Sequence, residues 1–262
     1  MGSATTQALA ATTSALTAAP GVDLGVAREL FAAVRTLAGS SQLSGALSDA
    51  SVPAEARRAL VSRVFGGYSA ATGSVLDAAV AERWSSSADL ISGIEEAGVR
   101  AAAMAEPQVD VEAELFSVAR TIAANPELEL ALGSRLGDAS AKGALIESLL
   151  NGRAAASTVA IVSSLVQVPR ERRVRSMLSR ALRVVADQRG RAVATVFAAA
   201  ELTDEQTSRL QRTLAARYGT EVSLNVVLDP TVVGGVRIEI GDDVIDATVS
   251  SRLGDLRQRL AG

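Results

Sequence analysis

Residues 28–67 read RELFAAVRTLAGSSQLSGALSDASVPAEARRALVSRVFGG, and residues 113–152 read AELFSVARTIAANPELELALGSRLGDASAKGALIESLLNG. The two segments align without a gap at an offset of 85, and 14 of the 40 aligned pairs are identical. Composition alone would give roughly four identities in a chain this rich in alanine. The identities include Glu29-Leu30-Phe31 against Glu114-Leu115-Phe116. We infer an internal duplication that spans the first two-thirds of the chain.

Each copy has the periodicity of short helices. Leu30, Val34 and Leu37 recur at three- and four-residue spacing, which is typical of one apolar helix face. Because Phe31 and Phe116 occupy one repeat position, we expect both to pack in a core. Proline at a helix start and glycine at a helix stop also recur: Pro53 and Gly66-Gly67 in the first copy, Pro126 and Asn151-Gly152 in the second.

The offset between the copies predicts a shared helix. A predicted helix over residues 4–19 precedes the first copy, and another over residues 88–105 precedes the second. The last helix of the first copy therefore occupies the place of the first helix of the second copy. No linker rich in glycine and serine separates them. We expect the two bundles to share this helix or to abut along it.

The pattern changes after Gly190. Residues 191–200 alternate as a strand, and Thr203 with Gln206 forms a capping box at the start of a helix. Further alternating runs at 222–226, 236–240 and 244–246 predict strands. A final helix carries one apolar stripe: Val249, Leu253, Leu256 and Leu260.

These patterns predict a mostly α fold with a small C-terminal α/β (α+β) domain. Residues 1–105 would form helical bundle copy 1, and residues 106–189 would form helical bundle copy 2. Residues 190–262 would form the C-terminal α/β domain. The fold is thus two tandem helical bundles followed by a short sheet-and-helix domain.

Composition excludes several classes of site. The 262 residues include neither cysteine nor histidine, so disulfides, thiol chemistry and histidine-based catalysis or metal binding are absent. An acid–base or metal site would need carboxylates and the single lysine, Lys142. No apolar run reaches the roughly 18 residues of a membrane span, so we expect no direct membrane insertion. The net charge of −3 gives no reason to expect a nucleic-acid partner.

The segment from 170 to 191 is strongly basic, with eight arginines against Glu171 and Asp187. Three interpretations stay open: a solvated charged helix face, a surface for an acidic protein, and a nucleic-acid site. The last is disfavoured because no aromatic residue interleaves to stack on bases.

Three other features invite a functional interpretation. Gly234-Gly235 lacks the lysine and hydroxyl of a phosphate loop, and a turn is favoured. Asp243 and Asp246 fall on opposite faces of a strand, which disfavours a metal site with Asp242. We therefore predict no cofactor and no metal. Trp84 is expected to be a half-buried packing residue, with an interface anchor as the alternative.

The C-terminal sequence from Leu224 to Leu260, LNVVLDPTVVGGVRIEIGDDVIDATVSSRLGDLRQRL, resembles the signature of the F-type ATP synthase delta subunit. The mitochondrial counterpart of this family is the oligomycin sensitivity-conferring protein. The signature positions present here are Asp229, Gly234, Gly235, Gly241, Asp246, Arg252, Leu253, Leu256 and Leu260. Two departures stand out: Ala247-Thr248 replaces the usual Gly-Ser, and the helical part is duplicated. Enlarged actinobacterial members are similar in this respect.

The resemblance implies a structural subunit with no activity of its own. It would be a non-catalytic peripheral-stalk (stator) connector of a proton-translocating ATP synthase. The helical part would bind the N-terminal helices of the α subunits of the catalytic head, and the C-terminal part would hold the C-terminus of the b-subunit stalk. The complex would place the chain at the cytoplasmic face of the plasma membrane as a peripheral membrane protein.

Two alternatives remain at the level of the sequence. One is a helical scaffold or adaptor protein with a ligand-binding α/β tail, and the other is an enzyme that uses carboxylates alone. The sequence also leaves open which bundle copy binds the head.

Overall fold

A computed structural model describes residues 2–134, 137–170, 172–241 and 243–249. The chain forms two compact units, Met1–Val185 and Ala186–Gly262, and both copies of the repeat lie in the first. The predicted fold class, a mostly helical chain followed by a small sheet, is confirmed. The finer division of the chain at residues 105 and 189 stays a prediction.

The helices of the two copies follow one another in the same order. The first copy comprises α1 (Ser3–Ala18), α2 (Leu24–Gly39), α3 (Ser41–Ser48), α4 (Ala54–Phe65), α5 (Ala70–Ala81) and α6 (Ser87–Ala105). The following helices are α7 (Val111–Ala123), α8 (Pro126–Gly133), α9 (Ala139–Leu150), α10 (Ala156–Gln167) and α11 (Val174–Gln188). Both α8 and α9 begin and end 85 residues after α3 and α4. By the same repeat, α10 corresponds to α5, and α6 corresponds to α1.

Helix α6 serves both copies. It packs against α1, α2, α3 and α5 of the first copy and against α10 of the second, as expected for a shared helix. Thirteen of its residues are buried, which is unusual for a surface helix. Gly98 allows the approach of α2, because a Cβ atom there would stand 2.8 Å from the Cε1 atom of Phe31.

Trp84 is a packing residue of the first copy. Only 5% of it is exposed, and its indole N–H donates to the carbonyl of Ala79 at 2.7 Å. Its ring lies so close to Gly93 that a Cβ atom there would be 2.1 Å away. Trp84 is therefore more deeply buried than predicted, and the interface-anchor alternative is wrong.

Helix α5 ends at Ala81, three residues before Trp84. The buried guanidinium of Arg57 donates to the carbonyls of Ala81 and Glu82 at 3.4 and 3.0 Å. These hydrogen bonds satisfy carbonyls that a helix end leaves without an intrahelical partner. The helix therefore ends where a distant arginine binds it.

The second unit contains the sheet. Its elements are β1 (Arg191–Ala198), α12 (Asp204–Tyr218), β2 (Glu221–Leu228), β3 (Val236–Ile240) and β4 (Asp243–Asp246). The strand order is β2-β1-β3-β4, with β1 parallel to β2 and the other pairs antiparallel. The predicted capping box of Thr203 and Gln206 begins α12. The core of this unit includes Ala194, Val196, Leu214, Val222, Ile238 and Ile240.

Candidate functional site

Asp229 closes the turn that follows β2. Its Oδ1 atom accepts hydrogen bonds from the backbone N–H of Thr231 at 2.9 Å and from the Thr231 hydroxyl at 2.7 Å. These bonds hold the pKa of Asp229 below its usual value. The carboxylate therefore fixes a turn of the chain, which is a structural use of this signature residue.

Gly234 and Gly235 bring this turn against the chain that follows β4. Both have positive φ angles, +63° and +83°, and a Cβ atom at Gly235 would stand 2.3 Å from the carbonyl oxygen of Ala247. The backbone N–H of Val249 donates to the carbonyls of Val233 and Gly234 at 3.2 and 3.0 Å. Glycine is required at 235 both for its φ angle and for the close approach.

Asp246 belongs to the same end of the sheet, at the end of β4. It accepts from the backbone N–H of Thr248 at 2.9 Å, and hydrogen bonding from Thr248 lowers its pKa. Gly241 lies at the opposite end of β3, in the turn to β4, with a φ angle of +56°. Ala247 has no positive φ angle, so its departure from the family pattern carries no backbone strain.

The structure thus brings together Asp229, Gly234, Gly235 and Asp246, and it separates Gly241 from them. The remaining signature residues and the predicted final helix lie outside the described residues: Arg252, Leu253, Leu256 and Leu260. Three apolar residues at this end are exposed: Leu228, Val233 and Val249. We define these three residues as the C-terminal apolar patch. Val233 is 63% exposed, which makes it the most accessible member.

We expect Gly235→Ala to destabilise the second unit by about 2–3 kcal/mol, because alanine is strained at this φ angle and meets the Ala247 carbonyl. Gly241→Ala is the matched control. Its φ angle is also positive, but nothing lies within 4 Å of the added Cβ atom, so the cost should be about 1 kcal/mol. Amide hydrogen exchange in β1 and β3 measures the loss of stability in both variants. Equal losses would contradict the claim that contact with the Ala247 carbonyl adds to the cost at Gly235.

In the helical unit, Glu95 of α6 is only 4% exposed and binds the basic segment. Its two carboxylate oxygens accept from the two terminal nitrogens of Arg172 at 2.6 and 2.8 Å. Arg170 is 3.2 Å away on the same carboxylate and also donates to Ser92. A bidentate pair of this kind is among the stronger ionic contacts in proteins.

The adjacent Glu96 binds two further arginines. Its Oε1 atom is 2.8 Å from Arg100, and its Oε2 atom is 3.2 Å from Arg180 of α11. Three arginines of the basic segment are therefore bound inside the helical unit, at Arg170, Arg172 and Arg180. For these three, the interpretations as a solvated face, an acidic-partner surface or a nucleic-acid site are wrong.

A second glutamate contact is repeated in the two copies. Glu29 accepts from the backbone N–H of Ser69 at 3.0 Å and from the Thr72 hydroxyl at 2.5 Å, at the start of α5. Glu114 likewise accepts from the backbone N–H of Ala155 at 3.0 Å and from the hydroxyl of Thr158, at the start of α10. Partial burial acts to raise the pKa of Glu29, but the hydrogen bonds from Thr72 and Ser69 outweigh it and the pKa is lowered. In each copy, the repeated glutamate accepts hydrogen bonds at the start of a helix, so its role is structural and it is not an acid–base group.

The described part of the helical unit has several openings at its surface. A groove of about 730 Å³ separates Arg28 and Arg35 of α2 from α9 and α10. A smaller cleft of about 300 Å³ lies among α7, α8 and α9. Three leucines of α8 and α9 are exposed: Leu130, Leu145 and Leu149.

Within the described ranges, no three side chains of the metal-binding types lie together. None of the helices that the structure describes is long and apolar enough to cross a membrane.

Comparisons with known proteins cover both units. A family profile described as "ATP synthase delta (OSCP) subunit" matches residues 96–260. A protein described as "ATP synthase subunit delta" from Leifsonia xyli subsp. xyli is 48% identical over 264 residues, which cover 100% of both chains. Proteins with the same description from Nocardia farcinica and Streptomyces avermitilis are 40% and 39% identical. They cover 95% and 94% of this chain, and 94% and 93% of their own length.

One solved chain is a weaker match. It comes from the "Cryo-EM structure of Toxoplasma gondii mitochondrial ATP synthase hexamer, composite model" and has 20% identity and a TM-score of 0.39. The match covers 64% of this chain and 97% of that chain. A similarity this low carries no argument. The family profile, in contrast, begins inside α6 and therefore spans the second copy and the sheet.

Proposed function

The chain belongs to the ATP synthase delta (OSCP) subunit family, and we propose that it is a non-catalytic connector in the peripheral stalk of a proton-translocating F-type ATP synthase. The helical unit would bind the N-terminal helices of the α subunits, and the second unit would bind the C-terminus of the b-subunit stalk. Through this complex the chain would lie at the cytoplasmic face of the plasma membrane.

The observation that carries the proposal is similarity over the whole chain, in both units, to proteins described as ATP synthase subunit delta. A connector needs two surfaces that bind different partners. Each unit has exposed apolar residues of its own, with Leu130, Leu145 and Leu149 in the first and the C-terminal apolar patch in the second. Such residues are suited to protein contacts, whereas the glutamates and aspartates described above serve helix starts, ion pairs and turns.

The repeat indicates where a helix of the head would bind. Helix α2 packs against both α6 and α10. The helices that correspond to α6 and α10 in the first copy are α1 and α5, which also pack against each other. We infer that a helix of an α subunit binds α1 and α5 as α2 binds α6 and α10.

Asp77 of α5 supports this assignment. It is the eighth residue of α5, as Ser163 is the eighth residue of α10, because the offset between the two copies has grown to 86 at these helices. Ser163 lines the groove opposite Arg28 and Arg35 of α2. The Oδ1 atom of Asp77 is buried and has no hydrogen-bond partner among the residues that the structure describes. Burial raises the pKa of this carboxyl, with Arg58 acting in the opposite direction. A basic residue of the incoming helix would supply the missing partner.

Separate substitutions in the two units test the proposal. We expect Asp77→Arg to weaken binding to the isolated catalytic head by about tenfold or more, with binding to the b subunit unchanged. Val233→Asp should weaken binding to the b subunit by about tenfold while leaving head binding intact. Surface plasmon resonance with the two purified partners measures both affinities.

Glu55→Arg is the matched control, since Glu55 is an exposed residue in the first turn of α4. It makes the same charge reversal away from the proposed surface and should leave both affinities unchanged. Wild-type binding by both Asp77→Arg and Val233→Asp would contradict the proposed surfaces. A wild-type chain that binds neither partner would contradict the proposed function itself.

A further inference from the structure

The two copies differ in one feature that their core residues do not explain. The cleft of about 300 Å³ in the second copy is lined by apolar residues of α7, α8 and α9 together with polar residues that include Glu114 and Arg153. Its apolar lining comprises Val118, Ile122, Leu128, Ile146, Leu149 and Leu150. The cleft lies on α7, α8 and α9, whereas the surface proposed for the α subunit lies on α1 and α5.

The first copy carries aromatic rings at the corresponding positions. Phe65 corresponds to Leu150 and Tyr68 to Arg153 by the 85-residue offset. Phe65 is buried, and its ring centroid lies 5.4 Å from that of Tyr68, with the planes tilted by 35°. Burial raises the pKa of Tyr68. The charge of Arg35 in α2 lowers this pKa, and the charge of Glu29 in α2 raises it. The backbone N–H of Ser69, the residue after Tyr68, donates to Glu29 of α2 at 3.0 Å, so this segment lies beside α2, as the cleft lies beside α7.

The second copy thus keeps the apolar lining but lacks the two rings. Leu149 lines the cleft, and Leu145, one turn earlier on α9, continues the apolar surface beyond it; they are 38% and 39% exposed. Aromatic side chains gain most from burial in sites of this kind, because each removes a large area from water. The first copy therefore shows that a site of this kind accommodates an aromatic side chain.

We propose that this cleft binds an aromatic side chain of a partner polypeptide, whose neighbouring apolar residues pack along Leu145 and Leu149. The incoming ring occupies the position that Phe65 and Tyr68 occupy in the first copy. Exposed leucines one helical turn apart match a partner that runs along α9 as a helix.

A tyrosine side-chain analogue tests the cleft directly. The full-length chain, labelled with ¹³C in its leucine and isoleucine methyl groups, is titrated with 4-methylphenol and followed by NMR. We expect saturable shifts of the methyl groups that line the cleft. The double variant Leu150→Phe, Arg153→Tyr restores the rings of the first copy and should weaken the response by about tenfold or more.

The first copy provides the matched control. Phe65→Leu with Tyr68→Arg opens the corresponding site. Leu37 of α2 corresponds to Ile122 of the cleft by the 85-residue offset, so 4-methylphenol should then also shift the methyl groups of Leu37. Thermal unfolding checks that both double variants are folded. The proposal is overturned if the wild-type cleft shows no saturable shift, or if wild-type chain and Leu150→Phe, Arg153→Tyr respond alike.

A second arm identifies the source of the ring, and this arm rests on the proposed function. ATP synthase from which the native chain has been stripped is rebound with each double variant. We expect Leu150→Phe, Arg153→Tyr to rebind about tenfold more weakly than wild type. Unchanged rebinding, or a dimer of the chain alone that this variant abolishes, would overturn the assignment to a partner. Failure of wild-type chain to rebind would instead count against the proposed function.

Discussion

Glu95→Ala is expected to lower the free energy of unfolding of the helical unit by about 3–5 kcal/mol. The substitution leaves Arg172 and Arg170 without the carboxylate that binds them at 2.6 and 3.2 Å. Both guanidiniums are mostly buried, so water replaces the lost contact only in part. Trp84, the single tryptophan, lies against α6 and reports urea unfolding by fluorescence.

Glu129→Ala is the matched control. Glu129 also pairs with an arginine of the basic segment, Arg175, at 3.0 Å, but that guanidinium is 53% exposed. An exposed pair of this kind contributes about 0–1 kcal/mol, so the control should unfold almost as the wild type does. Similar losses in the two variants would show that burial of the Glu95 contact has no special effect.

Phe31→Ala should destabilise the helical unit by about 3–5 kcal/mol as well. Phe31 is fully buried where α2 meets α6, and its ring lies against Gly98. Alanine would leave a cavity at the helix that both copies share, so the loss should affect the whole unit. Urea unfolding followed by circular dichroism measures the free energy, and the same curve shows whether one transition remains.

Phe116→Ala tests the same repeat position in the second copy. Phe116 is half-buried, so the same truncation removes less buried area and should cost about half as much. An equal or larger loss at Phe116 would mean that the second copy, and not the α2–α6 contact, limits the stability of the unit.

Local patterns predicted the elements well. The repeat of Glu29-Leu30-Phe31 located the second copy, because apolar periodicity and helix punctuation are properties of neighbouring residues. The capping box at Thr203 and the alternation in β1, β2 and β3 were predicted for the same reason. Signature residues such as Asp229 and Gly235 could be named from the sequence, but their use in turns required the structure.

Contacts between distant residues could not be predicted. Arg172 and Glu95 are 77 positions apart, and only the packing of the chain after α10 against α6 brings them together. The sequence did contain a signal for this contact, because Glu95 and Glu96 form an acidic pair in an otherwise largely apolar helix. The loss of an aromatic residue in the second copy was also visible in the alignment, where Phe65 corresponds to Leu150. Only the structure shows that Leu150 lines a cleft.

The sharing of α6 has a consequence for the gene. Since one helix ends the first copy and begins the second, an added copy brings five new helices and needs no linker. Unequal recombination between the two Glu-Leu-Phe segments would insert or delete 85 codons in frame. Because these segments lie in α2 and α7, each new junction would fall inside a helix whose packing partners are already present. The length of the coding sequence can therefore change in whole repeats, at the amino-terminal side, without disturbing the sheet encoded downstream.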